Sequence, residues 1–236
     1  MENWLSLIQF GPDGWGDELA AGAWLTIRLA VTTLPFGLAL GLLVAAAKGS
    51  RNRVFRAAGN AFTTVFRGLP ELLTIFLVYY GGQVLLQRLV NVVSDTQVTV
   101  SGFVAGFVAL GLVFAAYSSE VFLGASRAIP RGLYDAAAAL GMRPAPTLYK
   151  VILPQFVRLA LPGIANLWLV LLKDTALVSV IALDDLMRMT YVAVGATKQP
   201  FPLYLTAVLI YLAMSIVSSV GIVRIERWSE RGVRRT

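Results

Sequence analysis

The chain has 236 residues, of which 57% are hydrophobic and only 14% charged, with a formal net charge of +7; its mean hydropathy is +0.72. That is too little polar surface to cover a water-soluble globule, so the bilayer must be part of its solvent. Cysteine and histidine are both absent, which excludes disulfide frameworks, thiol catalysis, imidazole bases and nearly every transition-metal site.

From the N-terminus, Met1 to Glu18 is acidic and lacks a basic region ahead of a short apolar core, so no cleavable signal is expected. Runs long enough to cross ~30 Å of hydrocarbon at ~1.5 Å per helical residue follow. They lie at about 19–47, 70–86 with an extension from 54, 102–126, 159–181 and 203–223. The runs are continuously apolar and do not alternate, which excludes a β-barrel. The expected fold is an all-α membrane protein with five transmembrane helices. With no Ser-, Gly- or Pro-rich linker, residues 1–236 read as a single domain.

Charge placement orients the helices, because Lys and Arg are retained on the cytoplasmic side. Lys48, Arg51, Arg53 and Arg56 follow the first run. Arg127, Arg131, Arg143, Lys150 and Arg158 lie between the third and fourth, and Arg224, Arg227, Arg231, Arg234 and Arg235 close the chain. The opposite side carries Glu2, Asp13, Asp17, Glu18, Asp95, Asp184 and Asp185, with Arg88, Arg188 and Lys198 as its bases. The N-terminus is therefore expected outside and the C-terminus in the cytoplasm. These arginines serve topology and lipid contact, so a basic isoelectric point does not argue for a nucleic-acid partner.

Between the third and fourth runs, residues 131–153 form a basic insert expected in the cytoplasm. Arg131 to Leu140 is alanine-rich and helix-prone. Gly141 permits a sharp turn, and Pro144 and Pro146 suit the start of a second short helix. Leu148, Val151, Ile152 and Leu153 are expected to pack back on the bundle, with small alanines offered to a partner, and Pro154 opens the fourth transmembrane helix.

The segment Tyr134 to Pro154, YDAAAALGMRPAPTLYKVILP, resembles the "EAA" loop of bacterial ABC importer permeases. Upstream, Phe66-Arg67-Gly68-Leu69-Pro70-Glu71-Leu72-Leu73 resembles the RGxP segment of polar amino acid permeases, continued by IFLVYYG at Ile75 to Gly81. Tyr117-Ser118-Ser119-Glu120-Val121-Phe122 and Ile129-Pro130-Arg131-Gly132 are similar to the approach to the loop. Leu161 to Asn166 and LKDTALVSVI at Leu172 to Ile181 resemble the Q-type subunits of histidine, arginine and opine uptake systems.

The resemblance implies a type I ABC importer permease fold in the bacterial cytoplasmic (inner) membrane. It also implies partners: ABC ATPase subunits that bind ATP and Mg, a second permease subunit, a periplasmic substrate-binding protein and membrane lipid. In this family the loop couples to the ATPase, which carries over to Asp135, Ala136, Ala137, Gly141, Leu153 and Pro154. Asp135 stands where relatives usually have Glu, and Val151 where they have Ile. Leu123 stands where they often have Arg, which leaves Glu120 without that neighbour. Independently, the chain has no G-x-x-x-x-G-K-[ST] phosphate loop. It is therefore expected to be a transport subunit and not an enzyme, with no cofactor of its own.

Ionisable residues within spans are costly and mark pathways or subunit contacts. Lys173 and Asp174 lie inside the fourth run and, as neighbours, cannot share one helix face; local unwinding at Thr175 is expected. Lys173 is either part of an ion pair or subunit contact or part of the pathway. Asp174 and Thr175 are candidates for the substrate pathway, together with Glu120. Glu71 is either a helix-start carboxylate favoured by the dipole or an attractor for a cationic side chain. Asp184 and Asp185 read first as solvated outer-loop charges, and second as residues that line an outer gate or meet the binding protein. The alternative function is a stand-alone channel or ion-coupled secondary transporter. Such a protein would show an internal inverted repeat, and none is visible.

Overall fold

The computed structural model describes residues 4–92, 97, 99–181 and 183–229. Of the charges assigned above, Glu2, Asp95, Arg231, Arg234 and Arg235 lie outside the described residues. The chain forms α1 (Trp4–Leu7), α2 (Gly16–Gly49), α3 (Arg53–Gly68), α4 (Glu71–Val90) and α5 (Gly102–Ala128). These are followed by α6 (Arg131–Ala139), α7 (Pro144–Ile181), α8 (Leu186–Thr197) and α9 (Pro200–Ser229). Five of them, α2, α4, α5, α7 and α9, are long and apolar enough to cross a membrane.

α5 is the centre of the bundle and packs on α2, α7, α3 and α4. Small residues make that close approach possible. α5 buries Ala105, Gly106, Ala109, Ala115, Ala116, Ser118 and Ser119, and α2 meets it with Thr33, Gly37 and Gly41. In lipid, helices associate by close van der Waals packing and not by hydrophobic exclusion, so small faces are what lets backbones approach. The limit is visible at Gly37, where a Cβ would come within 2.6 Å of Phe114 Cδ1. Leu29, Ile75, Leu110, Phe114, Leu171, Val178 and Ile181 fill the core around this seam. α9, by contrast, leaves Val208, Leu212, Ile216, Val217 and Val220 exposed.

The boundaries follow local chemistry. Asn52 caps α3, its side chain accepting the Val54 N–H at 2.9 Å. Pro70 forces Leu69 into extended backbone, with ψ at 140°, and so ends α3 and lets α4 restart at Glu71. The extension expected from residue 54 is thus a separate helix. α4 widens to i→i+5 bonding over Leu77–Gly81, and α7 does so over Leu148–Ile152.

Two expectations at the other end of α7 are corrected. The helix does not unwind at Lys173–Thr175 but tightens into a 3-10 run over Thr175–Ile181. Thr175 Oγ1 donates to Leu172 O at 2.7 Å and Ser179 Oγ to Ala176 O at 2.8 Å, so hydroxyls serve carbonyls that the change of pitch would otherwise strand. Asp185 is not a solvated loop charge: it is fully buried, whereas Asp184 is exposed. Its carboxylate caps α8, a helix that hydropathy alone had not distinguished, by accepting the N–H groups of Arg188 at 3.0 Å and Met187 at 3.4 Å. α8 then ends at Lys198 in left-handed backbone, φ 58°.

Gly22 of α2 is what admits this turn. A Cβ there would stand 2.9 Å from Asp185 O and Leu186 Cα. One turn on, Thr26 Oγ1 donates to Gly22 O at 2.9 Å and accepts the Leu186 N–H at 3.2 Å. At the same end Leu7 joins Ala193 and Leu203 in a small cluster that fastens the N-terminal segment over α8.

Candidate functional site

The α6–α7 hairpin is built as its sequence suggests. α6 closes in a Schellman arrangement, with Gly141 N–H donating to Ala138 O at 2.9 Å and Met142 N–H to Ala137 O at 3.0 Å. Gly141 occupies the left-handed region at φ 70°, which a side chain would strain. Arg143 precedes Pro144 at the start of the next helical turn, and Thr147 Oγ1 returns a bond to Arg143 O at 3.0 Å.

Not every hairpin residue faces as expected. Ala137 is buried together with Thr147 and Ile152, so it holds the two arms together and is not offered outward. Leu148 and Leu153, expected to pack back on the bundle, are exposed; only Ile152 of that set is buried, with Val151 half-buried. The outward surface carries Asp135, Ala136, Gly141 and Pro154, with Leu140 as its most prominent apolar side chain at 81% exposure.

Within the bundle the intramembrane charges separate into two groups. Glu71, at the start of α4, and Asp174 of α7 lie near enough for their charges to act on each other. The first turns of α4 pack on Thr175–Ile181, which brings them together. Both are half-buried, and neither has an ion-pair partner among the described residues. Asp174 lines a narrow cavity with Tyr117, Phe114, Leu167 and Leu171. Lys173 points away and is exposed, as neighbours on a helix must, and Thr175 is buried against its own helix.

Glu120 belongs to the second group. Lys48 Nζ, on a side chain only 7% exposed, pairs with Glu120 Oε1 and also donates to Thr63 Oγ1 at 3.2 Å. Arg67 Nη1 lies 3.2 Å from the same Glu120 oxygen, with its guanidinium over the Tyr117 ring at 5.4 Å from the centroid. Glu120 is therefore not left without a basic neighbour: Lys48 and Arg67 fill the role that Leu123 cannot. These side chains line an open cavity of about 440 Å³ with Asn60, Thr63 and Thr64. Sequence reasoning missed Lys48, Arg67 and Tyr117 as partners here. A lysine one residue from a helix end reads as a topology signal, and its burial, which demands a counter-charge, exists only in the folded bundle.

Membrane-length helices around a polar cavity and two neighbouring intramembrane carboxylates, with a structured hairpin projecting from one end, define a membrane transport subunit. The family described as "Binding-protein-dependent transport system inner membrane component" matches residues 37–235, and the chain belongs to that family. It is 44% identical over 232 residues to the nopaline transport system permease protein NocQ of Agrobacterium fabrum, covering 98% of each chain. It is 42% identical over 215 residues to the arginine ABC transporter permease protein ArtQ of Haemophilus influenzae, covering 90% of this chain and 95% of that one. Its fold matches the crystal structure of an amino acid ABC transporter with histidines at a TM-score of 0.81 and 27% identity, over 96% of this chain and 99% of that one. The chain is a multi-pass inner-membrane permease subunit of a binding-protein-dependent importer, which sets aside the stand-alone channel.

Proposed function

We propose that this permease carries cationic amino acids or their opine derivatives, and that Glu71 and Asp174 receive the cationic group. The observation that carries this reading is the packing of the α4 start on Thr175–Ile181, which brings the Glu71 and Asp174 carboxylates near each other within the bundle with neither held in an ion pair among the described residues. Two like charges brought together in a low-dielectric setting are unfavourable until a cation arrives. NocQ is named for nopaline and ArtQ for arginine, in keeping with a cationic cargo. Thr175 supports the backbone beside Asp174, Lys173 serves a contact with a second permease subunit or lipid, and Glu120 belongs to the same pathway nearer the hairpin.

Residues 1–236 act as one permease domain, with the N-terminus outside and the C-terminus and hairpin in the cytoplasm, where positive charge is retained. Two ABC ATPase subunits bind ATP and Mg, and a periplasmic binding protein delivers substrate. The hairpin couples to the ATPase through Asp135, Ala136, Gly141, Leu153 and Pro154, with Ala137 holding its shape. Closure of the ATPase dimer moves the hairpin and swings the helices between inward- and outward-facing states. The test is co-purification with neighbouring gene products, followed by ATPase stimulation with a binding protein loaded with arginine, an opine or a neutral amino acid. Stimulation confined to the cationic cargoes is expected; absence of an associated ATPase, or preference for the neutral one, would overturn the reading.

A further inference from the structure

Tyr117 lines both cavities, the narrow one with Asp174 and the larger one with Lys48, Arg67 and Glu120. The ring thus stands between the larger cavity and the narrow cleft at Asp174. Their charges are opposite. The narrow cleft carries the Asp174 carboxylate among apolar side chains. In the larger compartment two cations meet one carboxylate, both through Glu120 Oε1, which leaves a surplus positive charge.

The two cations differ in availability. Lys48 is buried and held by Glu120 and Thr63, whereas the Arg67 side chain is 45% exposed and reaches Glu120 through Nη1. A guanidinium has five donors in a planar fork that matches a carboxylate, so Arg67 keeps donors to offer. Thr63, Thr64 and Asn60 supply neutral polar groups around it. A volume of about 440 Å³ admits an amino acid.

The joint between α3 and α4 sets the spacing. Arg67 and Glu71 are four residues apart across extended backbone at Leu69 and Pro70, which limits their Cα separation to about 14 Å. Side chains projecting from these two positions are within reach of the two ends of one extended basic amino acid, with the Tyr117 ring beside its stem.

We propose that the Lys48–Arg67 compartment is a carboxylate subsite. A cationic amino acid whose basic group rests at Glu71 and Asp174 presents its carboxylate to Arg67, and moves toward the hairpin end of the bundle carboxylate first. This rests on the assignment of Glu71 and Asp174 to the cationic group. A cation-first path would instead meet the surplus positive charge.

The experiment uses the purified complex of this chain with its partner permease and ATPase subunits, and measures equilibrium binding of radiolabelled L-arginine and of agmatine, its decarboxylated analogue. The wild-type complex should bind L-arginine more tightly. Arg67→Gln should weaken L-arginine by about tenfold or more, the usual effect of losing a charge-assisted carboxylate contact, while leaving agmatine within about twofold. Arg67→Lys should recover most of the loss. Equal weakening of both ligands in Arg67→Gln, no weakening of either, or wild-type preference for agmatine would overturn the subsite. Loss of both ligands in Glu71→Gln, with the Arg67 result unchanged, is the pattern expected if both assignments hold. Binding insensitive to Glu71→Gln and Asp174→Asn would remove the cationic-group reading, and failure of wild type to bind either ligand would remove both.

Discussion

The backbone N–H of Leu186 donates to Thr26 Oγ1 at 3.2 Å, a bond that spans 160 residues of sequence and fixes the start of α8 against the N-terminal third of α2. Thr26 and Leu186 are both fully buried, so no water can replace either partner. A threonine in a transmembrane helix reads as a helix-compatible residue satisfied by its own carbonyl. Here it also acts as an acceptor for another element.

Thr26→Val keeps the shape and deletes the acceptor. The stranded Leu186 N–H should cost about 1–3 kcal/mol, seen as a lower unfolding temperature of the detergent-solubilised complex. Thr26→Ser should restore most of it. An unchanged unfolding temperature in the valine variant would show that the bond does not hold α8.

Burial pushes the neighbouring Asp185 carboxyl up to about 7, helped by the charge of Asp184 and opposed by the N–H groups of Arg188 and Met187. Its value in the unfolded chain is near 3.8, so between those pH values the folded protein holds the proton that the unfolded chain has lost. Folding stability from this group is therefore greatest below about pH 4 and declines as pH rises toward 7, by a few kcal/mol at most. Asp185→Asn keeps a capping oxygen and should flatten that part of the stability profile. A variant whose thermal-shift profile from pH 4 to 7 runs parallel to wild type would contradict this.

Gly37→Ile tests the α2–α5 seam. Its added carbons would enter the Phe114 ring, an overpacking cost of about 1–3 kcal/mol. Reduced yield of monodisperse complex is expected, and Phe114→Ala in the same chain should relieve part of it. A double variant no better than the single would place the defect elsewhere.

In the hairpin, fold and docking separate by residue. Gly141→Val imposes a branched side chain at φ 70° and should cost on the order of 1–2 kcal/mol of hairpin stability, with uptake reduced. Ala137→Asp places a charge in the hairpin interior and should distort it. Leu140→Asp alters only the exposed tip and should abolish ATPase-coupled uptake while leaving membrane insertion and complex yield of the permease pair unchanged. Uptake at wild-type level in Leu140→Asp would remove that tip from the docking surface.

For the pathway, Asp174→Asn should lower uptake of a cationic amino acid at least tenfold, as expected for loss of a charge-assisted contact, without lowering expression. If assembly falls in proportion to uptake, the carboxylate is structural.

Much was legible in the chain itself, because hydropathy, charge bias and punctuation by Gly and Pro act over a few residues. Five spans, the turn at Gly141 and the resemblance to polar amino acid permeases all follow from short windows. A long apolar run has few ways to satisfy its backbone in lipid, so its helix is nearly forced. What only the tertiary structure decided was which polar groups meet. Glu120 faces Lys48 and Arg67 instead of a neighbour on its own helix, and Asp185 is buried because Gly22 opens room for its turn. Each depends on helices distant in sequence being brought side by side, and the partner of a charge is set by that packing, which no local pattern encodes.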